Sequence, residues 1–215
     1  VKLTKDPAEQ TTAVTDLILA LVAFGGIFFI RWSAMSNSEL WKINIWSAAF
    51  GLIGLAAALG FVAHGLVLSQ GMDHRVWLVL NLTLALAVSL FVVAVVYDLC
   101  DFAASLRVLP IMLTAGLGFY LATLLYPGIF FVFIVFETLS LFFALAAYVF
   151  LAVRSELSGA GLMAAGILLS LIAAGIQANK SVAVTVIWKF DHNGIYHIVQ
   201  MTGLLFLFAG LRYSL

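Results

Sequence analysis

The sequence predicts an all-α, polytopic integral membrane protein, a single seven-helix transmembrane bundle over residues 1–215. Three observations carry this. Of the 215 residues 65% are hydrophobic and only 9% charged, too little charge to cover a soluble domain of this size. The apolar residues fall into long runs, each near the ~20 residues that cross the hydrocarbon core of a bilayer. The breaks between runs are short and polar, with no room for a soluble domain. The formal net charge is zero, so no nucleic acid or acidic partner is implied. Cys100 is the only cysteine and cannot form an internal disulfide. The opening stretch VKLTKDPAEQTT lacks the basic-then-apolar pattern of a signal peptide.

In chain order, helix 1 is expected over 12–32, ending at Arg31-Trp32. Helix 2 is expected over 40–68, after the polar SNSE segment, with Ser38 as N-cap. Helix 3 is placed at 74–99, and helix 4 at 103–125, stopped by Tyr126-Pro127-Gly128. Helix 5 is placed at 128–153, and helix 6 at 158–178 after Arg154-Ser155-Glu156. Helix 7 is placed at 193–213, with Asn193 as N-cap. The longest connection, 179–191, contains SVAVTVIW and is expected to be extended or re-entrant. Small residues crowd helix 2 (Gly51, Gly54, Gly60) and helix 6 (Gly159, Gly161, Gly166). They let backbones approach closely, so both helices are expected to be central. Trp32, Trp41, Trp46, Trp77 and Trp188 are assigned to interfacial belts.

Call the side holding the N-terminus side A. Basic residues divide five against five, Lys2, Lys5, Arg75, Lys180 and Lys189 on side A and Arg31, Lys42, Arg107, Arg154 and Arg212 on side B. The positive-inside rule is balanced; side B is taken as cytoplasmic because its basic residues lie closer to helix ends. The expected location is a bacterial inner membrane.

The polar residues do not divide evenly. All four histidines, His64, His74, His192 and His197, fall towards side A, with Asp16, Asp73, Asn81, Asp191 and Gln200. Glu137 sits inside helix 5, about 13 Å from its side-A end at 1.5 Å per residue. An ionisable group at that depth costs at least a few kcal/mol unless paired or hydrated. Several helices thus bring polar groups to similar depth in one half of the bundle, which points to one water-accessible pocket opening to side A. Zinc takes histidine and carboxylate ligands and can keep an open water position, and it brings the pKa of bound water to about 7. His64, His192 and His197 are the candidate metal ligands. Glu137, Asp16 and Asp73 are the candidate catalytic carboxylates, completing the shell or moving protons. Plainer roles compete: a hydrogen-bonded packing histidine for His64, an interfacial residue for His74, helix capping and an interhelical bond for His192 and His197, and a structural pair for Glu137. Asp98 and Asp101, with Tyr97 and Arg107, suit an ion pair holding the helix 3–4 corner, and Asp191 beside Lys189 suits a solvated charge.

The stretch Phe190-Asp191-His192-Asn193-Gly194-Ile195-Tyr196-His197-Ile198-Val199-Gln200 resembles the last helix of a seven-helix hydrolase group. That group holds the alkaline ceramidases and the progestin and adiponectin receptors (CREST-type). The layout looks closest to a bacterial branch of such proteins and is similar over the full chain. The resemblance implies zinc held by His64, His192 and His197, and hydrolysis of a lipid-like amide or ester. Two further functions are kept beside it. One is a non-enzymatic ligand-binding protein or accessory subunit of a larger membrane complex; the other is a proton-coupled transporter. Membrane lipid is the expected surrounding partner, with a lipid-like small molecule as substrate and an oligomer or larger complex as the possible assembly.

Overall fold

The computed structural model of the chain describes residues 2–33, 40–126 and 131–215. Its helices among these residues are α1 (Pro7–Ser33), α2 (Leu40–Gly65), α3 (Gln70–Leu99), α4 (Phe102–Leu125), α5 (Phe131–Arg154), α6 (Ala160–Ala178) and α7 (His192–Ser214). All seven are long and apolar enough to cross a membrane. Two short antiparallel strand pairs accompany them: β1 (Lys2–Leu3) with β2 (Leu66–Val67), and β3 (Ala183–Thr185) with β4 (Lys189–Asp191).

The helices match the apolar runs, and their ends differ for local reasons. Helix α1 begins at Pro7 rather than residue 12. Proline suits a first helical position, and Asp6 Oδ1 accepts from Ala8 N at 2.9 Å. Helix α2 stops at Gly65 rather than 68, because Leu66 and Val67 pair with Leu3 and Lys2. Helix α3 begins at Gln70 rather than 74, so Asp73 and His74 are helical. Asp191, not Asn193, caps α7, its Oδ1 accepting from Gly194 N at 2.9 Å. Segment 179–191 holds the β3–β4 hairpin, the extended alternative. The expected Ser38 cap and the Pro127-Gly128 break lie outside the described residues.

Six helices form a ring in the order α1, α2, α3, α5, α6, α7, with α7 packed back on α1. Helix α4 lies outside, chiefly against α3, and buries only Ser105 and Gly116. The small residues of α6 act as expected. A Cβ on Gly166 would sit 2.7 Å from the Gly203 carbonyl oxygen, and one on Gly210 2.8 Å from that of Gly159. The α6–α7 seam is therefore backbone against backbone.

The end of the bundle opposite the N-terminus, end B, is closed by polar side chains. Lys42 Nζ lies 2.7 Å from Asp98 Oδ1 and donates to the Ser214 carbonyl at 3.1 Å. The Tyr148 hydroxyl donates to Asp98 Oδ2 at 2.7 Å. One buried carboxylate thus ties α3 to α2 and α5. This corrects the expected helix 3–4 corner: Asp98 pairs across the bundle, and Asp101 instead caps α4, accepting from Ala104 N at 2.7 Å. Next to this network Trp46 stacks on Phe50 and meets Phe91 edge-on, and Phe50 meets Phe208. Trp46 is therefore a core residue rather than part of a belt, whereas Trp32 and Trp188 are exposed.

Candidate functional site

Inside the ring lies a cavity of about 1170 Å³. Its outer wall includes Gln70, His74, Tyr126 and Lys180, all exposed at the N-terminal end, end A. Its inner wall is apolar, with Leu19, Phe50, Phe91 and Leu207. By helical rise the wall on α7 runs from His192 to Leu207, about 22 Å. The outer half is polar and the inner half oily, and the aromatic cluster beside Trp46 forms the floor.

All six residues singled out in the sequence, Asp16, His64, Asp73, Glu137, His192 and His197, line this one cavity. Asn81, Gln200 and His74 join them, so His74 is a wall residue and not only an interfacial one. Two of the histidines, however, meet carboxylates. His197 Nε2 lies 3.2 Å from Asp16 Oδ1, with side chains 8% and 5% exposed. His197 Nδ1 lies 3.0 Å from Thr15 Oγ1, whose hydroxyl donates to the Thr12 carbonyl at 2.8 Å. With its proton spent there, Thr15 accepts from Nδ1, which fixes that nitrogen as N–H. The contact between Nε2 and Asp16 then needs one proton, carried by either partner. Asp16 lies about 14 Å along α1, deeper than expected because the helix starts earlier.

Glycine makes room for this pair. A Cβ on Gly60 would fall 2.6 Å from Asp16 Oδ1 and 2.8 Å from both Cγ and Oδ2, so the carboxylate lies directly against α2. Near the mouth, His64 Nδ1 is 2.7 Å from Glu9 Oε2, and the His64 ring meets Trp77 edge-on at 5.7 Å. Asp191 accepts from Thr12 Oγ1 at 2.9 Å besides capping α7. It is thus an α1–α7 tie and not a solvated charge.

The donor set does not suit zinc as it stands. Among the described residues no three of His, Cys, Asp and Glu gather into a metal-holding group. Both His197 nitrogens face protein partners, and His64 Nδ1 faces Glu9. The wall instead carries buried oxygens without a donor: Asp16 Oδ2, Glu137 Oε2, Gln177 Oε1 and Gln200 Oε1. No ion pair among the described residues reaches Glu137.

Glu9, Thr12, Thr15 and Gly60 were not foreseen as site residues. Thr12, Thr15, Asp16 and Leu19 follow the i, i+3, i+4, i+7 pattern of one helix face. That stripe is visible in the sequence once α1 is extended back to Pro7. Nothing in the local sequence marks Gly60 as the seat of a carboxylate from another helix.

No curated protein and no solved structure matches the chain. A family model does match, over residues 11–215. With nearly its whole length covered, the chain belongs to a family of unknown function, DUF6962.

Proposed function

We propose that this is a multi-pass integral membrane protein that takes an amphiphilic molecule into its cavity, polar head towards end A and apolar tail on the aromatic floor. The seven apolar helices support membrane insertion, since only structures with internally satisfied backbones span a bilayer. The observation that carries the ligand reading is the cavity itself, a single space of about 1170 Å³ with a polar outer half and an oily inner half. Ligand pockets commonly run to roughly 300–1,000 Å³, so this volume suits a lipid-sized molecule. The test is gentle purification into nanodiscs followed by native mass spectrometry. One bound amphiphile per chain is expected, and Ala57→Trp, which places a large ring on the cavity wall, should expel it. A cavity that neither retains nor takes up any amphiphile would refute the reading.

Hydrolysis of a lipid-like amide or ester with zinc is the second reading, supported by the imidazoles of His64, His192 and His197 lining one cavity. It requires His197 to leave Asp16 or Thr15, while His64 could ligate through Nε2 with Nδ1 kept on Glu9. Metal analysis giving about one zinc per chain, lost in His197→Ala, would favour it over the first.

A further inference from the structure

The head of the occupant can be named from what the cavity lacks. Of the four oxygens on the wall without a donor, two belong to carboxylates, Asp16 and Glu137. A glutamine can turn its amide and offer nitrogen instead of oxygen; an ionised carboxylate can only accept. Asp16 Oδ1 already faces His197, but Oδ2 lies against α2 at Gly60 with no partner. Glu137 has no ion pair among the described residues, and its Oε2 has no hydrogen bond.

Cations are just as scarce. Lys180 is the single lysine or arginine on the described wall, and it stands exposed at the mouth with Asp73 also on that outer wall. Of the wall's imidazoles, His64 and His197 are engaged with Glu9 and Asp16, and no ion pair among the described residues reaches Glu137. Water can hydrate an orphan oxygen but brings no charge to set against a carboxylate. Burying an unpaired carboxylate is costly, so a wall that keeps one suits a counter-ion that arrives with the ligand.

We infer that the occupant is an alkylammonium amphiphile, a hydrophobic tail ending in a protonated primary amine that donates to Glu137. This rests on the amphiphile reading above. An ammonium has three donors, no acceptor and a positive charge, which complements a wall carboxylate that no ion pair among the described residues reaches. A fatty acid would set carboxylate against carboxylate, and a fatty alcohol would supply one donor and no charge.

The experiment is equilibrium binding by native mass spectrometry on the full chain in phosphatidylcholine nanodiscs, with dodecylamine, dodecanol and dodecanoate as probes. Dodecylamine should bind at one per chain, at least about ten-fold more tightly than the other two, as expected for a charge-assisted contact. Glu137→Gln should remove most of that preference, bringing dodecylamine affinity towards that of dodecanol. Glu137→Asp, which keeps the charge, should retain the preference. Equal binding of all three probes would overturn the ammonium head and leave the amphiphile reading standing. Binding of none would overturn both.

Discussion

Alanine in place of glycine inside a helix ordinarily stabilises by about 1 kcal/mol, because the backbone has less freedom to lose. At Gly60 the structure reverses the sign. The added methyl would meet Asp16 Oδ1 at 2.6 Å and Oδ2 at 2.8 Å, closer than real contacts allow. Asp16 must then turn away from His197, which loses a contact worth about 1.5–3 kcal/mol for a charged partner. Otherwise α1 and α2 must part, an overpacking cost of about 1–3 kcal/mol. Set against the propensity gain, Gly60→Ala should destabilise by about 1–2 kcal/mol. In an Asp16→Ala background the methyl meets no carboxylate, and the same change should stabilise by about 1 kcal/mol. The coupling is therefore about 2–3 kcal/mol, well above the error of a double-mutant cycle. Reversible unfolding of the four proteins in mild detergent measures it. Equal effects of Gly60→Ala in the two backgrounds, or stabilisation in the wild type, would mean that Asp16 does not lie against α2.

Two further tests address the scaffold. Lys42→Ala leaves Asp98 buried without its counter-charge, beside the Tyr148 hydroxyl and Trp46, and should cost about 3–5 kcal/mol, while the paired change Lys42→Met with Asp98→Leu should recover much of that in the same unfolding assay. At the α6–α7 seam, Gly166→Ala drives a methyl to 2.7 Å from the Gly203 carbonyl, which no rotamer relieves, and should cost about 1–3 kcal/mol. Gly175→Ala on the same helix, with nothing within 4 Å, should be neutral or stabilising, and equal losses at both would contradict the backbone seam.

The number and approximate place of the helices follow from hydropathy, because a long apolar run has few other uses. Their ends do not, because they are fixed by partners remote in sequence: Leu66 and Val67 leave α2 for a strand that begins at Lys2. Convergence of polar groups on one end was legible for a similar reason. Depth along a helix can be counted at 1.5 Å per residue, so Asp16, His64, Glu137 and His197 can be set at one end of the bundle from sequence alone. Rotation about the helix axis decides which of them touch, and no single sequence reports it. Hence, of the three histidines expected to share a metal, His64 meets Glu9 and His197 meets Asp16, and Glu9 precedes the expected start of helix 1. Lys42, counted among the basic residues of side B, does lie at that end but is 2% exposed and paired with Asp98. Removing it from the side-B tally takes away part of the ground for assigning that side to the cytoplasm.

The two ends of the bundle handle the same chemical problem in opposite ways. At end B a buried carboxylate, Asp98, has an ammonium and a phenol each at 2.7 Å, both supplied by the chain. Such a site is complete and holds helices together. At end A, Glu137 and Asp16 stand on the wall of a large cavity with oxygens that no donor reaches. The chain can provide a buried lysine where one is required, as Lys42 demonstrates, so the lack of one opposite Glu137 does not reflect a bundle unable to hold a cation. On the proposed reading, a complementary charge left out in one place and built in at another distinguishes a binding site from a structural one. It predicts that substitutions at the two ends will separate in experiment: those at Asp98 and Lys42 will move stability, and Glu137→Gln will move ligand preference.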